Sequence, residues 1–347
     1  MLQVSPHDAA HDAEETHVNY RKSEAKAASK AQFRGVWAAI TTPFTPDGEV
    51  DEAGLRRNMR HYTDVLHVDG IFCTGTIGEF WALTGEERKR IVEIVVEEAR
   101  HKCKVIAHTA HHAAKETVEL TRHAEEVGAD FAVLMNPYYP PADEAMVYDW
   151  FKFVASRVNI GIWMFDAEFA GYGFSPQLTA RIAEIENVCG IKIPRPMEHY
   201  EAVKRLIGDK IVMSQPNEHL SLALMRDHGQ RVHMSSPTPY LYQVQGSLPM
   251  RDYTEHALQG RFEAAAEIAA TLEPVREVYL RWFRNPWVER RLIPIAYVKA
   301  WQEMLGMAAG PVRTPLLQMT AKERDALQAD LERTGILTRF RGIKAAA

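Results

Sequence analysis

Between Gly35 and Ser235 the chain alternates between short apolar runs and longer segments in which apolar positions recur with helical period. The short runs are Gly35 to Thr41, Gly70 to Cys73, Lys104 to His108, Phe131 to Met135, Asn159 to Phe165, Val188 to Ile193, Lys210 to Ser214 and Arg231 to Ser235. Strands alternating with helices predict βα units around a parallel sheet, and eight of them are what a closed (β/α)8 TIM barrel requires. Local signals mark the helix ends. Thr84 with Glu87 forms a capping box, Ser175 is an N-cap before Pro176, and Gly128 closes the helix that contains Glu119 to Val127. An open doubly wound sheet is disfavoured, because the turn after the first strand reads Thr41-Thr42-Pro43-Phe44-Thr45-Pro46 and lacks a glycine-rich phosphate loop.

Beyond the eighth strand the pattern is helical from about 250 to 345, most regularly over Arg261 to Trp282. The expected organisation is an N-terminal extension over 1–33, flexible or helical, a barrel over 34–250, and a C-terminal helical region over 251–347 packed on the barrel. No Gly/Ser linker separates the last two.

Composition narrows the partners. With 46% hydrophobic and 25% charged residues the chain can bury a large core. A formal charge of -5 offers no basic field for nucleic acid, and no apolar run approaches the roughly 20 residues that cross a bilayer. A small molecule is the expected partner. Cys73, Cys103 and Cys189 lack CxxC spacing, which argues against disulfides and structural zinc and fits a reducing cytoplasm. The first 30 residues hold no apolar core of a secretory signal.

Barrel enzymes bind ligands where strands end. After the second strand, Gly75-Thr76-Ile77-Gly78-Glu79 is a turn that can aim N–H groups and a hydroxyl at a carboxylate, or an ordinary βα loop. At the end of the sixth strand Lys192 closes an apolar run. Burial would lower its pKa and free the amine for Schiff-base formation, unless it pairs with a carboxylate such as Glu79 or Asp166. After the fourth strand, Asn136-Pro137-Tyr138-Tyr139-Pro140-Pro141 offers phenols for proton transfer or for packing. His108, His111 and His112, with His101 and His123, raise a metal reading, but spacing names no complete ligand set; no metal and no cofactor is expected.

These motifs, in this order, resemble the dihydrodipicolinate synthase and N-acetylneuraminate lyase family, which shares a GTTGE turn, a PYY loop and a GIK strand. The resemblance runs from about Gly35 to Leu316 and takes in Thr42-Pro43-Phe44, Leu83-Thr84 with Glu87-Arg88, Gly128-Ala129-Asp130, Lys299-Ala300, Gly306 to Gly310 and Arg313-Thr314-Pro315-Leu316. It implies a TIM barrel, a homo-oligomer that is often a tetramer, and a lysine Schiff base used on a 2-keto acid such as pyruvate. Carried over, Lys192 would be the Schiff-base lysine, Thr76 to Gly78 with Gly75 and Glu79 the carboxylate site, and Tyr139 a tyrosine reaching the neighbouring active site.

Departures are equally specific. The family's fifth-strand tyrosine, which sits over the lysine and shuttles its proton, maps by residue count to Met164, flanked by Trp163 and Phe165. Asp166, Glu168, Tyr172 and Tyr139 are candidate substitutes. Ile77 replaces a threonine, His108 a glycine, and Gln215 to Glu218 with Val232 to Ser236 replace family segments, so Met164, Asp166 and His108 are expected to line a changed substrate site. Phe169 stands about where dihydrodipicolinate synthase has its substrate-binding arginine, which implies that this enzyme's own activity is absent. The stretch Met164 to Pro176 resembles the family's aromatic hydratase-aldolases, and Trp163, Phe165, Phe169 and Trp81 would suit a larger substrate. The expected function is a lyase of the class I aldolase type. A family barrel with altered chemistry (hydrolase, dehydratase or decarboxylase) and a keto-acid-binding protein without turnover are the alternatives.

Overall fold

A computed structural model describes residues 18–137, 139, 143–167, 172–290 and 292–346. Eight strands lie where the apolar runs place them: β1 Gly35–Ala39, β2 Gly70–Cys73, β3 Lys104–His108, β4 Phe131–Met135, β5 Gly161–Phe165, β6 Val188–Lys192, β7 Val212–Ser214 and β8 Val232–Ser236. They are parallel neighbours in the order β7-β6-β5-β4-β3-β2-β1-β8, and consecutive strands of the chain are joined through helices on the outside. Strand residues are almost all buried, as expected when helices cover one face and the barrel interior the other. Where β7 meets β8, a side chain bridges the seam: the Ser214 hydroxyl donates to the Val232 carbonyl at 3.2 Å and accepts from the Met234 N–H at 3.0 Å. The molecule is a (β/α)8 barrel with additional C-terminal helices.

The capping signals act as the sequence implies. Thr84 accepts from the Glu87 N–H while Glu87 accepts from the Thr84 N–H, and Ser175 caps the helix Pro176–Ala183 through the Leu178 N–H.

The N-terminal end of the barrel is closed by aromatic rings. The helix Ala25–Gln32 packs there, and Phe33 places its ring 4.2 Å from Trp37 and 4.1 Å from Trp163. The Trp163 indole donates to Ser29, and the Tyr20 hydroxyl accepts the Gly161 N–H and donates to the Asp130 carbonyl. Gly190 makes room for this layer, since a Cβ there would stand 2.1 Å from the Trp163 ring. Residues 1–17 of the expected extension lie outside the described residues.

The C-terminal region is helical, as the sequence pattern implies, and the regular stretch within it is divided. It consists of the helices Pro249–Leu258, Phe262–Ala270, Glu273–Tyr279, Asn285–Arg290, Ile295–Met304, Ala321–Arg333 and Ile336–Ala346, with a π-helical turn at Leu280–Arg284. The stretch Arg261 to Trp282 breaks ahead of Pro274, which has no N–H to continue a helix and sits in a first turn instead. Residues 305–320 form an irregular segment over the barrel. Gly310 there has φ 69°, and a Cβ would meet the Phe44 carbonyl at 1.9 Å. Among the described residues no helix is long and apolar enough to cross a membrane.

Candidate active site

A cavity of about 490 Å³ opens at the C-terminal ends of the strands. Lys192, the last residue of β6, lies in its wall. Its side chain is held between two rings, with Nζ 4.4 Å from the Phe165 centroid and 5.1 Å from that of Phe72. The residue is 7% exposed, and desolvation brings the amine pKa from 10.5 down to about 7. Among the described residues no carboxylate pairs with it. Glu79 is taken by Lys299 at 2.7 Å, and Asp166 faces Arg195 and His199 at 3.4 Å each.

Beside Lys192 the turn after β2 contributes Thr76 and Ile77 to the cavity. The Thr76 hydroxyl is buried and meets no hydrogen-bond partner among the described residues, so an oxygen of a ligand can take it up. Gly75 and Gly78 shape the turn and do not line the cavity. A Cβ on Gly75 would stand 2.8 Å from the Phe72 ring, and the Gly78 carbonyl accepts from Thr42.

Four expected site residues are placed elsewhere. Met164 is buried and absent from the cavity wall, whereas Phe165 is opposite Lys192 in the β5–β6 register and lines it. Successive strand residues face opposite ways, so a one-residue displacement exchanges one for the other. The residue over the lysine is therefore Phe165, which carries no hydroxyl. Asp166 points away from the cavity and accepts from the Phe174 N–H, bracing Arg195, which does line it. His108 lies behind Phe72, its ring 4.5 Å from Phe80, and neither ring nitrogen has a hydrogen-bond partner among the described residues. Desolvation, then the Arg88 charge, hold its pKa well below the usual histidine value, so the ring is neutral. Tyr139 is 72% exposed and outside the cavity. Glu168, Phe169 and the neighbours Tyr138, Pro140 and Pro141 lie outside the described residues. Trp163 belongs to the aromatic layer at the other end of the barrel, and Trp81 is not in the cavity wall.

Much of the remaining wall falls in the segments 215–218 and 232–236, whose departures from the family pattern implied a changed site, whereas the part from the C-terminal helices was not anticipated. Arg195, Gln215, Asn217 and Glu218 come from the segments after β6 and β7, Ser236 is the last residue of β8, and Tyr279, Phe283, Arg284, Trp287 and Val288 come from the C-terminal helices. Nothing in a strand-end search points to residues outside the barrel.

A profile of the Dihydrodipicolinate synthetase family matches residues 32–334. The chain belongs to this family. Dihydrodipicolinate synthetase family members are lyases of the class I aldolase type. The 4-hydroxy-tetrahydrodipicolinate synthase of Methanothrix thermoacetophila is 34% identical over 316 residues, spanning 87% of this chain and 99% of its own length. The enzyme of that name from Methanocaldococcus jannaschii is 30% identical over 311 residues, spanning 88% and 100%. Among solved structures, dihydrodipicolinate synthase from Aquifex aeolicus superposes with a TM-score of 0.77 at 30% identity, covering 88% of this chain and 99% of that one. These relatives do not support the expectation that the synthase's own activity is absent.

Several of the motifs that carry the family resemblance are joints rather than ligands. Arg313 donates its backbone N–H to Glu79, its side chain to the carbonyls of Gly48 and Ala82 and twice to Glu87, and its guanidinium lies 4.3 Å from the Phe44 ring. Glu79, fully buried at φ 58°, is thus consumed by Lys299 and Arg313 and faces no ligand. Among the described residues no group of three or more His, Cys, Asp and Glu is placed to hold a metal ion. His111 and His112 stack on one another, and His123 pairs with Glu93.

Proposed function

We propose that this chain forms a Schiff base between Lys192 and a 2-keto acid such as pyruvate, and makes or breaks a carbon–carbon or carbon–oxygen bond next to the iminium carbon. The observation that carries this reading is the Lys192 amine, desolvated at a strand end between two aromatic rings, with no carboxylate paired to it among the described residues. The neutral amine adds to the keto carbon, the carbinolamine loses water, and the iminium accepts the electron pair left when a proton or a carbon substituent departs from the adjacent carbon. The Thr76 hydroxyl is positioned to receive the keto-acid carboxylate, with the N–H groups of the same turn.

Phe165 cannot shuttle protons, so the relay falls to other groups. Tyr139, exposed on one copy, would supply a phenol to a second copy in a homo-oligomer. The missing hydroxyl also favours a second reading, a family barrel with altered chemistry such as dehydration, decarboxylation or hydrolysis.

The test is intact-protein mass after incubation with pyruvate and borohydride. A reduced adduct in the wild type and none in Lys192→Ala is expected. An adduct retained by Lys192→Ala refutes the assignment. Formation of 4-hydroxy-tetrahydrodipicolinate would then show whether the activity is that of the named relatives.

A further inference from the structure

The cavity is several times larger than a keto acid of pyruvate's size, and its outer wall comes from outside the barrel. Tyr279, Phe283 and Trp287 stand four residues apart, which aligns them on one face of a helix. Their rings form a ladder, Tyr279 stacked on Phe283 at 4.6 Å and Trp287 tilted against Phe283 at 5.3 Å, and all three line the cavity with Val288. Opposite them are Met197, Leu220, Pro194, Pro196 and Pro216. These rings pack on the core with one side, Phe283 being 8% exposed, and the ring surface they turn to the cavity is what an apolar ligand can cover. The π-helical turn Leu280–Arg284 lies within the ladder and sets the direction of Phe283 relative to Tyr279.

What holds this wall against the barrel is a buried ion pair. Glu218, in the loop after β7, accepts from the Arg276 Nε at 2.9 Å and Nη2 at 2.8 Å, and from the Tyr253 hydroxyl at 2.9 Å. Arg276 is three residues before Tyr279, and also donates to the Ala269 carbonyl and to Glu273. Glu218 itself lines the cavity, but its carboxylate is occupied by these donors. Two charges taken out of water hold a geometry only while both partners remain, so this bidentate pair fixes the angle at which the helix after it crosses the mouth.

We propose that the stretch Tyr279 to Val288, positioned by the Glu218–Arg276 pair, selects the carbonyl partner of the Lys192-bound keto acid, and that this partner is an aldehyde with a bulky apolar body. The proposal rests on the Schiff-base reading above. Lys192, Phe72, Thr76 and Ile77 accommodate the keto acid, and the enamine carbon adds to an aldehyde whose body lies along the aromatic ladder. The new carbon–carbon bond forms as the aldehyde oxygen takes up a proton, and water then releases the product from the lysine.

The experiment is steady-state addition of pyruvate to benzaldehyde and to glyceraldehyde, with borohydride trapping run alongside. The wild type is expected to prefer benzaldehyde. In Trp287→Ala and Phe283→Ala, kcat/KM for benzaldehyde is expected to fall tenfold or more, mainly through KM, while that for glyceraldehyde changes less than threefold. Glu218→Gln should show the same selectivity loss, partly restored in Arg276→Lys relative to Arg276→Ala, with cooperative thermal unfolding checked for each. An equal fall for both aldehydes, a wild-type preference for glyceraldehyde, or an adduct-forming enzyme that turns over neither overturns the proposal alone. Absence of any adduct in the wild type overturns the Schiff-base reading and the proposal with it.

Discussion

Lys192 shows how a strand pattern becomes chemistry. An apolar run ending in lysine places an amine where water is excluded, and desolvation lowers its pKa from 10.5 to about 7. The sign follows directly: the protonated amine cannot attack, so the rate of trapped-adduct formation should rise with pH through a midpoint near 7 and level off above it. A midpoint near 10, read from initial rates of adduct mass gain, would mean that the amine is hydrated during the reaction. The cavity positions of Lys192 and Thr76 were legible because one ends a strand and the other sits in the turn just after one, and local residues define both. Phe165 was not, since counting back from Lys192 assumes a fixed length between two strands, and one residue of difference turns the opposite face inward. Met164 is in consequence a core residue. Asp166 and His108 were recognised as unusual polar residues at strand ends, but whether such a residue faces a ligand or the back of the first layer depends on side-chain direction, which spacing does not encode.

At the scale of elements, residues shared with a family need not touch its substrate. Glu79 reads as part of a carboxylate site because it ends the glycine turn, yet it anchors the irregular segment 305–320 and the helix Ile295–Met304 through Arg313 and Lys299. Lys299 is also buried, and desolvation lowers its pKa to about 8 against the opposing pull of Glu79. Removing the carboxylate leaves that ammonium without its charge partner. Glu79→Ala is therefore expected to lower stability by about 3 kcal/mol in denaturant titrations, a typical cost for breaking one side of a buried pair. A loss under about 0.5 kcal/mol, the range of ordinary surface substitutions, would contradict this account. The strands and the caps at Thr84 and Ser175 were readable because local patterns specify them, whereas the irregular segment depends on contacts with Gly48, Ala82 and Glu87 more than two hundred residues away in the chain.

Across the whole molecule, the exposed apolar side chains are informative. Tyr139 is 72% and Met146 58% exposed, one in the segment after β4 and the other in the first turn of the helix Glu144–Ala155 that follows it. Large apolar groups exposed together mark contact surfaces. The chain is expected to sediment as a homo-oligomer, and Tyr139→Asp to shift it toward smaller species in light scattering during size-exclusion chromatography. A wild type of monomer mass at micromolar concentration would refute the subunit-sharing role given to Tyr139.

The aromatic layer of Phe33, Trp37 and Trp163 has its own consequence for traffic through the protein. With aromatic rings packed at one end, the cavity that holds Lys192 opens at the other, beside the C-terminal helices, among the described residues. On the proposed reading, a keto acid bound at Lys192 would arrive first and travel furthest, and its partner would lie above it like the second item in a narrow jar. Departure would run in reverse, so the proposed sequence of events follows from which end of the barrel carries the aromatic layer.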